Sequence, residues 1–257
     1  MKSWTVTRVA VSGARPLSPA VRESAGIMPV MSDADTSNAS AGMTIDVISD
    51  VVCPWCYIGR RRLGEALALY AQKEPDVRPL VSWHPFQLNP DLPTEGIDRR
   101  AYLEAKFGGA QRAAQIYERV RAAGRTVGID FAFERIARQP NTRDAHRLIS
   151  WAQSLGSAED LVERLFRAYF LEGRFVGDRG VLADIAGEAG LPADDARAYL
   201  ESDAGIDTIE AMDRRVRELG VTGVPFFIFN GRVAVSGAHE APALVTAITE
   251  AAAGAAG

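Results

Sequence analysis

The stretch DVVCPWC, Asp50 to Cys56, constrains this chain more than any other. Its Cys53 and Cys56 are the only cysteines in 257 residues. The β-branched run TIDVISD, Thr44 to Asp50, leads straight into them and reads as a short buried strand. Beyond Cys53 the pattern turns helical, with Leu63, Leu67 and Tyr70 three to four apart and Pro75 as the stop. A strand therefore feeds a helix whose first turn carries both thiols. Val77 to Pro90 supplies a second strand, since Val81, Trp83 and Pro85 alternate with Ser82 and His84. The order β, α, β suits a parallel crossover.

Five segments follow with apolar residues at helical spacing: Tyr102 to Ala123, Thr142 to Leu155, Ala158 to Leu171, Asp178 to Ala189 and Ala193 to Leu200. Ser157 and Asp160 read as a capping box. Leu165, Phe166, Tyr169 and Phe170 make one apolar stripe, read as core. The glycines of KFGGAQ are too short a match for a phosphate loop. Strands return late: VPFFIFN, Val224 to Asn230, and RVAVS, Arg232 to Ser236, flank Asn230-Gly231, the strongest short hairpin signal. A last helix spans Ala241 to Ala252. The fold class is α/β: βαβ, a helical block, then αββα.

Two cysteines two residues apart make a poor staple, because so small a loop restrains little of the unfolded chain. Zinc needs about four ligands. There is no second CxxC, and His84, His146 and His239 are dispersed, so no metal site is expected. Thiol–disulfide exchange fits better. Its attacking species is a thiolate, and Cys53 at a helix N-terminus meets free backbone N–H groups and the positive end of the dipole. Pro54 has no N–H to orphan and suits the first turn. Cys56, one turn on, is placed to close a disulfide with Cys53. Asp50 reads first as a strand-end turn residue and second as an aid to proton transfer. Asn141 and Thr142 read first as a helix N-cap. His84 and His146 lie in segments that border the cysteines, although a surface or supporting position is the plainer reading of each. Far along the chain, Gly223-Val224-Pro225 precedes the late strand, where proline is tolerated only at a strand's start.

The hydrophobic share of 47% and charged share of 24% are those of an ordinary globular protein. A net charge of -4 makes no case for nucleic acid. Arg60 to Arg62 read as one solvated helix turn. No apolar run approaches the ~18 residues of a membrane span. The first 42 residues lack lasting periodicity, and Arg8, Arg15 and Arg22 interrupt every candidate signal core. They read as a disordered extension or a mis-assigned start before Met43, with the protein cytoplasmic.

CPWC at the head of the first helix and GVP before a late hairpin resemble the thioredoxin superfamily. The helical block between the halves resembles the DsbA-type disulfide oxidoreductases. SDVVCPWCYIG, WHPFQLNP, PNTRDAHRLI and GVPFFIFNGRVAVSGAHE are similar to the FrnE-like branch, over roughly Thr44 to Ala252. The resemblance implies a thioredoxin-like fold built from residues 43–95 and 205–253, with a large α-helical insertion over 96–204. It implies no organic cofactor, a nucleophilic Cys53, a resolving Cys56, and a cis Pro225 that contacts substrate beside Val224. It also places Asn141 near the cleft. Trp55 stands where periplasmic DsbA has histidine, and an indole offers no cation to a thiolate. A weaker oxidant than DsbA follows, below its ~-120 mV and nearer the ~-270 mV of thioredoxin. The expected partners are thiol- or disulfide-containing proteins or small molecules, with glutathione open as a co-substrate. Two alternatives stand beside this: a glutathione-dependent isomerase or transferase of the kappa-class-like type, and a redox-sensing chaperone that binds peptide.

Overall fold

The computed structural model describes residues 43–253; the N-terminal extension expected over 1–42 lies outside them. Strand β1 (Thr44–Ser49) leads through a turn into helix α1 (Pro54–Ala71), and β2 (Leu80–Pro85) returns parallel to β1, Val47 opposite Trp83. Strand β5 (Phe226–Phe229) lies antiparallel on the other side of β1, and β6 (Val233–Ser236) pairs with β5, giving the sheet order β2-β1-β5-β6. Asn230 and Gly231, with φ of 48° and 62°, turn the β5–β6 hairpin, as two left-handed residues do in a type I′ turn. Helix α9 (Ala241–Ala253) closes the chain. Ile45 and Val47 pack into the main core with residues of α1 and α9, while Ile48 faces away, towards Phe86, Val216 and Val221. This is the thioredoxin-like α/β fold.

Between β2 and β5 the helices are α2 (Arg99–Phe107), α3 (Ala110–Arg125), α4 (Arg143–Leu155), α5 (Glu159–Phe170), α6 (Arg179–Glu188), α7 (Ala193–Glu201) and α8 (Ile206–Glu218). A short ladder, β3 (Ile97–Asp98) with β4 (Arg138–Gln139), brackets α2 and α3. The sequence read one helix from Tyr102 to Ala123; the structure breaks it at Gly108 and Gly109, whose φ of 77° and 118° end α2 and turn the chain. The capping box does not form either. Helix α5 starts a residue later than that motif requires, and Ser157 Oγ accepts from the Glu159 N–H at 3.2 Å.

The helical block docks on the sheet through polar contacts between residues distant in sequence. Arg60 and Arg61 both pair with Glu163 on α5, whose carboxylate also accepts from Tyr57 Oη at 2.9 Å. Arg62 is buried and donates to the Ala238 carbonyl and the Glu240 carboxylate. The three arginines are therefore paired, and the solvated turn expected of them is corrected. Tyr57 stacks on Phe166 with centroids 5.0 Å apart. At the sheet's edge, Gln153 accepts from the Trp83 N–H at 2.6 Å and donates to its carbonyl at 3.1 Å, capping groups that an edge strand otherwise leaves open. Among the described residues, no helix is long and apolar enough to cross a membrane.

Candidate active site

Cys53 is the residue on which α1 begins. Its backbone is extended, and its carbonyl accepts from the N–H groups of Cys56 at 3.0 Å and Tyr57 at 3.3 Å. Pro54 occupies the first helical turn, where a missing N–H costs nothing. The turn before it is held by the Cys53 N–H on the Asp50 carbonyl, 3.0 Å. Across the cleft, the Val224–Pro225 peptide is cis, and Cys53 Sγ lies 3.7 Å from the Val224 carbonyl oxygen. Two segments 171 residues apart thus meet at one sulfur. Gly59 makes the approach possible. A Cβ there would lie 2.9 Å from Pro225 Cγ and 3.2 Å from the Phe227 ring. The sequence offered only a weak sign of this, a glycine inside a helical pattern.

The two thiols occupy different surroundings. Both are reduced. Cys56 is fully buried, and burial pushes its pKa well above the ordinary thiol value. Its hydrogen bond to Cys53 and the charge on that sulfur push the same way. Only the Ser49 hydroxyl and the Asp50 backbone pull back. Burial therefore holds the proton on Cys56, while Cys53 sits at the helix N-terminus beside the Val224 carbonyl.

Cys53 itself is only 6% exposed. Access runs along a groove of about 230 Å³ lined by Val52, Cys53, Trp55, Leu88 and residues of α2 and α3, among them Tyr102, Lys106 and Tyr117. Trp55 is 40% exposed at this groove. Lys106 Nζ donates to Tyr102 Oη at 2.6 Å, and that hydroxyl donates to Asn89 Oδ1 at 2.8 Å. Behind the groove, Arg99 is buried and donates to Gln139 Oε1 at 2.7 Å, Tyr169 Oη at 2.6 Å and Tyr117 Oη at 3.0 Å. Burial raises the pKa of both phenols, so they remain neutral partners. Sequence reasoning missed Ser49, Gly59, Arg99 and Lys106; of these only Gly59 left a local sign.

The remaining candidates sit behind the sulfurs. Asp50 is fully buried; its carboxylate accepts from the Leu88 N–H at 2.7 Å and, weakly, from the Val52 N–H at 3.4 Å. His146 Nε2 is 3.6 Å from Asp50 Oδ1, too far for a hydrogen bond. His84 pairs instead with Asp46, Nε2 to Oδ1 2.7 Å. Asn141 donates to the Pro90 and Leu92 carbonyls and accepts from the Arg143 N–H at 2.9 Å. It fastens the 90–92 loop to the start of α4, while Thr142 makes no side-chain cap bond.

A sheet of this order, with a helix starting at a CxxC opposite a cis-proline, defines a thioredoxin-like protein carrying a helical insertion. Residues 44–249 match the DSBA-like thioredoxin domain, and the chain belongs to that family. A crystal structure of a probable DsbA oxidoreductase from Streptomyces coelicolor is 31% identical, covering 81% of this chain and 89% of that one with a TM-score of 0.72. The uncharacterized protein YwbO of Bacillus subtilis is 27% identical over 74% of this chain and 88% of its own. A 2-hydroxychromene-2-carboxylate isomerase shares the fold at 16% identity, with a TM-score of 0.60 over 83% of this chain and 98% of its own.

Proposed function

We propose that this protein is a thiol–disulfide oxidoreductase. The observation that carries the reading is the pair of free thiols on one helical turn, one sulfur at the helix N-terminus and 3.7 Å from the Val224 carbonyl, the other buried with its proton held. Cys53 thiolate attacks a substrate disulfide and expels one substrate thiolate. Cys56, once deprotonated, attacks Cys53 Sγ; the mixed disulfide breaks, and its electron pair leaves on the second substrate sulfur, which takes up a proton. The substrate disulfide is reduced to two thiols and the protein is oxidised to the Cys53–Cys56 disulfide. The reverse sequence oxidises a dithiol. The sulfurs carry both electrons, so no organic cofactor enters.

Substrate lies along the groove beside Trp55 and meets the Val224–Pro225 backbone where that backbone approaches Cys53 Sγ. With Cys53 6% exposed and the groove near 230 Å³, an extended peptide or a small thiol, glutathione included, suits it better than a folded surface. The chain lies in the cytoplasm on this reading, acting on thiols there. Trp55 brings no cation to Cys53, so the potential falls below ~-120 mV, towards ~-270 mV; equilibration with glutathione or dithiothreitol buffers measures it, and a value at or above the upper figure refutes the argument. The isomerase reading rests on shared fold alone and leaves Cys56 without a task. The deciding experiment is insulin reduction and dithiol oxidation: Cys53→Ser abolishes both, while Cys56→Ser accumulates mixed disulfides. If Cys56→Ser traps no partner, the reading fails.

A further inference from the structure

The buried side of Cys56 holds polar groups that the exchange steps above leave idle. Ser49 ends β1, one residue before Asp50, and both lie against the Cys56 thiol. Beside them is a small, largely closed cavity of about 10 Å³, lined by Ser49, Trp83, His84, His146, Ser150 and apolar residues that include those of α5 and α8. That is room for one water. A buried water persists only where polar atoms receive it. Three of the lining residues each carry a buried polar atom with no hydrogen-bond partner among the described residues: Ser49 Oγ, His84 Nδ1 and His146 Nε2. Such orphans are few in folded proteins and mark an ordered water or a reacting group.

The two histidines are placed differently. His84 pairs in register with Ile48 and bonds to Asp46, so it shares the sheet face opposite Ser49. Trp83 and His84 point to opposite faces yet both line the cavity, together with Ser49, Val51 and Pro85, so it lies at the C-terminal ends of β1 and β2. His146 reaches this end from α4, with Ser150 one turn on. Asp50 is 3.6 Å from its Nε2 and is already fixed by backbone N–H groups. Helices α5 and α8 turn only Val162, Phe166, Ile209 and Met212 to the cavity. The acids of α8 on this side, Glu210 and Asp213, are held by Arg143 and Arg217. The ionisable groups that face His146 are thus Asp50, the Cys56 thiol beyond Ser49, and the His84–Asp46 pair.

We propose that Ser49 and His146, joined by one water in this cavity, carry the proton off and onto Cys56 during disulfide exchange. The relay rests on the oxidoreductase reading. In resolution, Cys56 gives its proton through the Ser49 hydroxyl and the water to the lone pair of His146 Nε2. The Cys56 thiolate then forms its bond to Cys53 Sγ, and the substrate sulfur departs with the electron pair and is later protonated. Asp50, with Oδ1 3.6 Å from His146 Nε2, is placed to balance the imidazolium. In the reverse direction the same path returns a proton to Cys56 as the disulfide opens. Asp50, one candidate for proton transfer from sequence, instead supports the group that does it.

Single-turnover stopped flow with a bis(nitrobenzoate) disulfide separates the steps, because attack by Cys53 and resolution by Cys56 each release one absorbing thiolate. His146→Gln and Ser49→Ala are expected to slow the second release at pH 7 by at least about 10-fold, and to change the first by less than about twofold. Ser49→Thr, which keeps the hydroxyl, stays within about threefold of wild type on both. The relay is overturned if His146→Gln resolves at the wild-type rate, or if it slows both releases equally, as a packing defect does. A wild-type protein that never makes the second release overturns the oxidoreductase reading, and the relay with it.

Discussion

Arg147 and Arg99 are both buried in the helical block, and their surroundings differ in kind. Arg147, fully enclosed on α4, donates to Asp144 at 2.7 Å and to the carbonyls of Tyr199, Leu200, Ser202 and Ala204. Every donor direction of a planar guanidinium is used. Its work is to sew the end of α7 and the turn into α8 onto α4. Arg99, beside the groove, meets two phenols and an amide but no carboxylate among the described residues, and its Nε has no partner. A region that only has to hold together satisfies its buried charge; the region around the sulfurs leaves charge available.

The largest effect belongs to Arg147→Ala. It strands a ring of carbonyls and removes a partner of Asp144, and is expected to cost about 3–5 kcal/mol in urea unfolding. Asp144 gives this a pH signature. Burial acts to raise its pKa, but hydrogen bonds from Arg147 and Arg179 outweigh that and hold the carboxyl below its ordinary value. A depressed folded pKa means stabilisation that is present above the unfolded value near ~3.9 and lost as pH falls through the folded one. The penalty of Arg147→Ala should therefore shrink as the medium is acidified below pH ~4. A cost that is constant with pH would show that the carbonyls, not Asp144, carry the effect.

Next is Gly59→Ala. An alanine in a helix interior normally gains ~1 kcal/mol over glycine. Here the new methyl would sit 2.9 Å from Pro225 Cγ, so the sign reverses to a loss of about 1–2 kcal/mol. Disulfide exchange should fall with it, because Pro225 moves relative to Cys53. Stability and exchange rate measured on one preparation check both; a stabilised variant with normal exchange would show that α1 does not need to touch Pro225.

These two residues also show what the sequence could and could not disclose. Cys53, Pro54 and Cys56 were legible because a strand, a proline and a helical repeat adjoin them, and the hairpin because Asn230-Gly231 is a local signal. Pro225 was legible only as the partner of a known motif. Gly59 acts through Pro225 and Arg147 through carbonyls more than fifty residues away, and no local pattern encodes such distances. The Arg60–Arg62 run misled for the same reason: its partner Glu163 is 103 residues from Arg60. Gly108-Gly109 was visible, but it was weighed only against a phosphate loop, which was rejected, and not as a helix break. The two-residue ladder β3–β4 is too short to leave a periodicity at all.

The smallest effect expected on stability is that of Arg99→Met, and it is the one that decides the comparison. Its hydrogen bonds to neutral partners are worth ~1–3 kcal/mol each at most, and the relief of burying no charge offsets them. Stability should therefore move by no more than about 1 kcal/mol. Kinetics should move more. Tyr117 stands between Arg99 and the groove; burial first, and then charges that include Cys53, raise its pKa, while Arg99 lowers it. Arg99 and Cys53 thus act on one phenol from its two sides, and removing the cation takes away a positive charge near the negative charge that passes between sulfurs during attack. The attack of Cys53 on a substrate disulfide should slow roughly 3- to 10-fold, with the loss most evident at low salt, where screening is least. If Arg99→Met instead unfolds as readily as Arg147→Ala and attacks at the wild-type rate, Arg99 is a second structural pin, and the contrast between the two regions disappears.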